Sequence, residues 1–244
     1  IAINLPAPFN KAEDDSVMFR ISKPASDDGP LYVEYGDRMR GQYRSTAGKP
    51  DEFDLALRLG EGTLPKFTPG KWIVRGTLGR FDTSTLMLAD DAQMPDLSKL
   101  DLDVMVGILD LAGAHFKRVR VAARGTTDTS DAPIRFELDS ENLVGVLDVP
   151  HTKDAPLGVA LERLNISSLP DAPSPDDVDP RRLPAMSFSV KSVRFEERDL
   201  GTLKFVAHKS PSGVVIDKLY LIGDDIDAQG AASWSLEDGQ HRTN

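Results

Sequence analysis

A strand pattern recurs in the middle of the chain and again near its end. Leu102-Asp103-Val104-Met105-Val106 leads to Val119-Arg120-Val121, and Phe188-Ser189-Val190 leads to Leu203-Lys204-Phe205. Apolar and polar residues alternating at period two give a strand one apolar and one polar face, and repetition at long spacing builds stacked β units instead of one catalytic pocket. The expected fold is mainly β: an elongated, curved antiparallel sheet of half-tube or groove-like repeat units, with one short helix. Function is then expected to lie in a surface.

The N-terminal section, 1–98, carries further strands. Val17-Met18-Phe19-Arg20-Ile21, Leu31-Tyr32-Val33-Glu34-Tyr35 and Phe53-Asp54-Leu55-Ala56-Leu57-Arg58-Leu59 alternate with period two, separated by Asp, Gly and Pro clusters. They read as antiparallel strands. Trp72 to Leu78 is another, after which Asp82 is placed to cap a short helix near 83–92, with Leu86, Met87 and Ala89 on its apolar side. A middle repeat unit, 99–167, continues through Val119 to Ala123, Ile134 to Leu138 and Leu143 to Leu147. The connector 168–184 holds Pro170, Pro173, Pro175, Pro180 and Pro184 among aspartates, which excludes a helix interior or central strand and predicts exposure. A C-terminal unit, 185–244, reads as four strands: Ala185 to Phe195, Thr202 to Ala207, Val214 to Ile222 and Ile226 to Leu236. Overlaying the two units sets Val119 to Ala123 on Leu203 to Ala207, at a spacing of about 85 residues.

Charge and composition exclude several classes of function. The 244 residues carry a formal net charge of -10, with basic residues interspersed among acids, so nucleic acid is not an expected partner. Cys is absent, which removes disulfides, thiolate metal sites and cysteine nucleophiles. No apolar run approaches the roughly 18 residues of a membrane span, and Ile1-Ala2-Ile3-Asn4-Leu5-Pro6 lacks the regions of a signal peptide, so direct membrane insertion is not expected. The ends at Ile1 and Asn244 read as those of an excised fragment.

Motifs for chemistry are missing. His115, His151, His208 and His241 stand in unrelated segments without a metal-ligand spacing, and read as surface histidines. The acidic pairs Asp14-Asp15, Asp27-Asp28, Asp90-Asp91, Asp176-Asp177 and Asp224-Asp225 fall in expected turns, where Asp bonds its own backbone. Gly60-Glu61-Gly62 runs into Thr63-Leu64-Pro65 and Gly70-Lys71 into Trp72, so neither makes a phosphate cradle. There is no G-x-S-x-G elbow, and Asn165-Ile166-Ser167 is a sequon of consequence only in a eukaryotic secreted protein. Neither an enzyme nor a cofactor is expected.

What remains is an apolar face. On a regular pleat Leu102, Val104, Val106, Val119, Val121, Phe188, Val190, Leu203 and Phe205 point to one side of their strands. Two such faces ordinarily close on each other as a β-sandwich core. The other outcome is an open curved sheet whose apolar side holds lipid, and the pattern alone does not separate the two. A carbohydrate-binding sandwich would need clustered exposed aromatics, and Trp72 and Trp234 lie far apart.

Specific segments add to this reading. Ile3-Asn4-Leu5-Pro6-Ala7-Pro8-Phe9, Val33-Glu34-Tyr35-Gly36-Asp37-Arg38 and Asp179-Pro180-Arg181-Arg182-Leu183-Pro184-Ala185 resemble the C-terminal half of YhdP proteins, large AsmA-like proteins of Gram-negative bacteria. Asp199 to Ala207 and Gly230-Ala231-Ala232-Ser233-Trp234 are similar to that family's repeated D-x-x-L-G-x-L-x-L-x-A and G-x-W element. The resemblance implies a periplasmic segment of a protein anchored in the inner membrane by a helix elsewhere. That protein would carry phospholipid towards the outer membrane along a β-sheet groove, with phospholipid and neighbouring segments of the same protein as partners. It supplies no catalytic residues. Arg20, Arg58 and Arg75 fall inside strands, where alternation sets them on the face opposite their apolar neighbours.

Overall fold

A computed structural model describes residues 18–24, 29–46, 49–83, 97–111, 114–125, 132–152, 155–167, 179–237 and 240–243. The strands are β1 (Phe19–Ser22), β2 (Leu31–Tyr35), β3 (Met39–Thr46), β4 (Lys49–Leu59), β5 (Trp72–Asp82), β6 (Leu100–Leu111), β7 (Ala114–Arg124) and β8 (Ile134–Asp139). They continue with β9 (Leu143–Val149), β10 (Leu157–Ile166), β11 (Met186–Phe195), β12 (Arg198–Ser210), β13 (Gly213–Ile222), β14 (Asp227–Glu237) and β15 (Gln240–Thr243). All belong to one 15-stranded sheet, in which spatial order follows sequence order. The described helical structure consists of two 3₁₀ turns, Leu97–Lys99 and Pro180–Arg182.

The sheet is elongated, because every extensive strand contact is with a hydrogen-bonded neighbour. Among the described residues no second sheet covers either face, so the expected alternative of a closed sandwich is not the arrangement found. Burial of Val119 to 0% and Val190 to 1% instead comes from apolar side chains on adjoining strands covering one another.

Three junctions differ from the antiparallel expectation. β4–β5, β5–β6 and β10–β11 are parallel. Each follows a long connection, where a tight hairpin is impossible and a crossover can return the chain to the same end of the sheet. After the second and third crossovers the chain runs an antiparallel meander, β6 to β10 and β11 to β15. These meanders are the structural basis of the recurring pattern. By cross-strand partner, Val104 pairs with Val121 and Val190 with Leu203, so Leu203 matches Val121, two residues from the sequence overlay. A two-residue offset keeps every side chain on its face.

Strands β3, β10 and β15 are absent from the sequence reading. The expected helix near 83–92 lies, apart from Thr83, outside the described residues, and its proposed cap Asp82 ends β5. The connector is not wholly exposed. Its described end includes Pro180, which is fully buried, and the 3₁₀ turn there rests on β13 and β14.

The pleat is irregular at defined places. Val106 and Leu109 are both buried with Gly107 and Ile108 between them, and Phe116 and Val119 likewise flank Lys117 and Arg118. Arg118 has φ 52°, which turns the strand so that one face keeps its apolar residues across the change of parity.

Candidate functional site: an apolar face spanning the sheet

Directly paired residues on neighbouring strands project to the same face. Following partners from strand to strand therefore traces rows across the sheet. One row runs Ile21, Val33, Gly41, Leu57, Val74, Leu102 and Ala123 from β1 to β7. It continues through Phe136, Leu147, Val159, Phe188, Phe205, Leu219 and Gly230 to β14. Not one position is polar.

The adjacent row on that face is equally unbroken. Phe19, Tyr35, Met39, Leu59, Gly76, Val104 and Val121 lead to Leu138, Gly145, Leu161, Val190, Leu203, Leu221 and Ala228. At about 4.8 Å per strand, each row spans roughly 60 Å.

The two rows differ in depth. Val104, Leu138, Leu161 and Val190 of the second row are buried, whereas Leu102, Phe136, Val159, Phe188 and Phe205 of the first stay half-buried. All nine residues nominated from the sequence stand on this face. Leu102, Phe188 and Phe205 lie in the accessible row; Val104, Val121, Val190 and Leu203 lie in the deeper one. Val106 and Val119 pair beside Val104 and Val121 and are buried. The sequence reading missed the contributions of β4, β8, β10 and β13, including Leu57, Leu138, Leu161 and Leu219. Alternation already visible in Phe53 to Leu59 could have supplied Leu57, but Leu161 and Leu164 stand on a strand whose parity changes between them.

Near the C-terminal end the face deepens. Leu183, Pro184, Met186, Phe205, Ile216 and Trp234 help line an apolar cavity of about 260 Å³, closed on one side by the chain leaving the Pro180–Arg182 turn. Trp234 Nε1–H donates to His241 Nδ1 at 3.2 Å, so the indole satisfies its polar edge while its ring stays against apolar neighbours.

The opposite face is polar. Arg20, Glu34, Arg40, Arg58, Arg75 and Asp103 occupy one row there, in agreement with the placement of Arg20, Arg58 and Arg75 read from alternation. Ion pairs lace neighbouring strands: Arg120 to both Asp103 oxygens at 2.8 and 2.7 Å, Arg135 to both Asp148 oxygens at 2.8 and 2.9 Å, and Lys191 to Glu162 at 2.7 Å. The Arg120 hydrogen bonds hold the Asp103 carboxyl below its ordinary value against the smaller opposing effect of burial. Asp110, 5% exposed, receives Arg80 at 2.5 Å and faces His115, so its buried charge is matched.

The histidines do not converge. His115 meets Asp110, His208 lies 3.3 Å from Asp217, and His241 meets Trp234. Among the described residues no group of His, Asp and Glu is arranged to hold a metal ion, and no helix is long and apolar enough to cross a membrane.

Comparison with known proteins settles the family. The YhdP protein family model matches residues 1–244. The chain belongs to the YhdP family. No curated protein and no solved structure matches it. In this YhdP family member the fold is a β-rich, elongated sheet whose two apolar rows run across its strands.

Proposed function

We propose that this chain is a segment of a bridge-like, AsmA-like lipid transfer protein, conducting phospholipid along the apolar face between the inner and outer membranes. It works in the periplasm as part of a protein anchored in the inner membrane, and it is not an enzyme. The observation that carries this reading is the pair of unbroken apolar rows from β1 to β14, which no second sheet covers among the described residues, the Pro180–Arg182 turn alone resting on β13 and β14 at the C-terminal end. An acyl chain in water costs about 0.8 kcal/mol per CH₂. A continuous apolar track removes most of that barrier, and a headgroup riding at the rim stays in water. The half-buried row of Leu102, Phe188 and Phe205 is the lining a tail would touch, and the buried residues beside it hold the track in shape.

The competing reading, a closed structural or interaction module with no ligand, requires something to cover these rows. To decide between them, a photo-reactive residue is placed at Leu102 or Phe188 in the full-length protein, and the adducts are analysed after irradiation in cells. Phospholipid adducts there, with none from a control position at Arg135 on the polar face, support conduction. Adducts only with protein at both positions would sink it.

A further inference from the structure

We propose that the polar face carries an anion site, formed by Arg58, Arg75 and Arg120 around Gly76, which takes a phosphate-type oxyanion. It lies opposite the apolar rows and is independent of the lipid reading.

In sequence these arginines are scattered among acids. The sheet collects them: Arg40 pairs with Arg58, and Arg58 with Arg75, on three adjoining strands. Like charges directly opposite each other destabilise a sheet unless something neutralises them. Arg75 is matched by Asp101 at 2.8 Å and Arg120 by Asp103. Among the described residues Arg58 meets no carboxylate; its Nε donates to the Glu61 carbonyl at 2.7 Å. Arg40 beside it stands directly opposite Glu34, whose carboxylate also lies 3.7 Å from Arg20.

These groups surround a recess of about 260 Å³ lined by Arg58, Arg75, Gly76, Asp103, Met105 and Arg120. The Arg58 guanidinium is held in place by its neighbours. The guanidinium lies against the Gly62 backbone, where a Cβ would meet Arg58 Nη2 at 2.6 Å. Asp101 and Asp103 are each committed to one arginine, so Arg58 is the arginine of the recess that meets no carboxylate among the described residues. Guanidinium forks match the several oxygens of a phosphate better than a single carboxylate.

The test is titration of the protein at low ionic strength with inorganic phosphate and, separately, with glycerophosphoglycerol, a soluble phosphodiester headgroup, followed by NMR of the arginine Nε–H signals. Saturable shifts at Arg58, Arg75 and Arg120 are expected. Arg58→Gln should weaken binding roughly tenfold, the loss of one charge-assisted contact. Met105→Glu is a second variant that breaks no existing bond and places a carboxylate in the recess; it should abolish the shifts while leaving the thermal melt unchanged. Comparable affinity for the phosphodiester assigns the site to lipid headgroups, and a clear preference for inorganic phosphate assigns it to free phosphate or a monoester. Absence of saturation with both probes, or unchanged affinity in Arg58→Gln and Met105→Glu, overturns the proposal.

Discussion

Phe188 on β11 and Phe205 on β12 stand directly opposite each other and stack, with ring centroids 4.8 Å apart and ring planes at 15°. Both belong to the accessible apolar row, so the pair presents a flat aromatic surface instead of filling a core. Stacked rings contribute about 0.5–1.5 kcal/mol beyond area burial. A double-mutant cycle on Phe188→Ala and Phe205→Ala, read by urea unfolding, should return a coupling in that range. Additive single effects would mean that the rings do not interact in solution.

Depth on the apolar face sets tolerance to charge. Val190 is 1% exposed and surrounded by apolar neighbours, so Val190→Asp leaves a buried unpaired charge costing several kcal/mol and should leave the chain unfolded in native-state circular dichroism. Leu102→Asp, in the half-buried row, lets its carboxylate reach water and should keep a cooperative melt while losing lipid adducts in the full-length protein. Equal destabilisation by the two would show that the accessible row is in fact covered.

Gly76 sits in the deeper row with φ 132°, and a Cβ there would lie 2.0 Å from the Leu59 carbonyl oxygen. Neither the backbone conformation nor the space admits a side chain. Gly76→Ala should cost more than about 2 kcal/mol, since strain and a backbone displacement add. A melting temperature within a few degrees of the parent would contradict the parallel β4–β5 register.

The Asp103–Arg120 pair makes a signed pH prediction. The folded state holds the Asp103 carboxyl below its ordinary 3.8, so the pair contributes stability above that value and loses it as pH falls through the lower folded one. Urea midpoints of the parent and Asp103→Asn should differ at pH 7, begin to converge only as pH falls below the ordinary 3.8, and meet below the lower folded value. The difference is expected to be small, because both side chains are more than a third exposed.

Strands and their faces were legible wherever alternation was strict. Leu102, Val104, Phe188 and Phe205 were found that way, and Arg20, Arg58 and Arg75 were set correctly on the polar side. β3 escaped because Gly41 occupies its apolar-row position, and a glycine gives no hydrophobic signal although the row passes through it. β10 escaped because Leu161 and Leu164 break period two at a register shift. The buried Pro180 could not be anticipated, since composition reports what a segment is unable to form and not what it rests against.

By itself the sequence determined that the chain is a β protein with one apolar and one polar face on its strands, because side-chain direction follows local periodicity, while the resemblance to YhdP proteins rested on particular segments such as Asp179 to Ala185. Only the tertiary structure decided that the strands form a single sheet in chain order, that three junctions run parallel, and that the faces align into two apolar rows with arginines gathered on the other side. Those facts depend on cross-strand register, which joins residues tens of positions apart and leaves no local mark in the sequence.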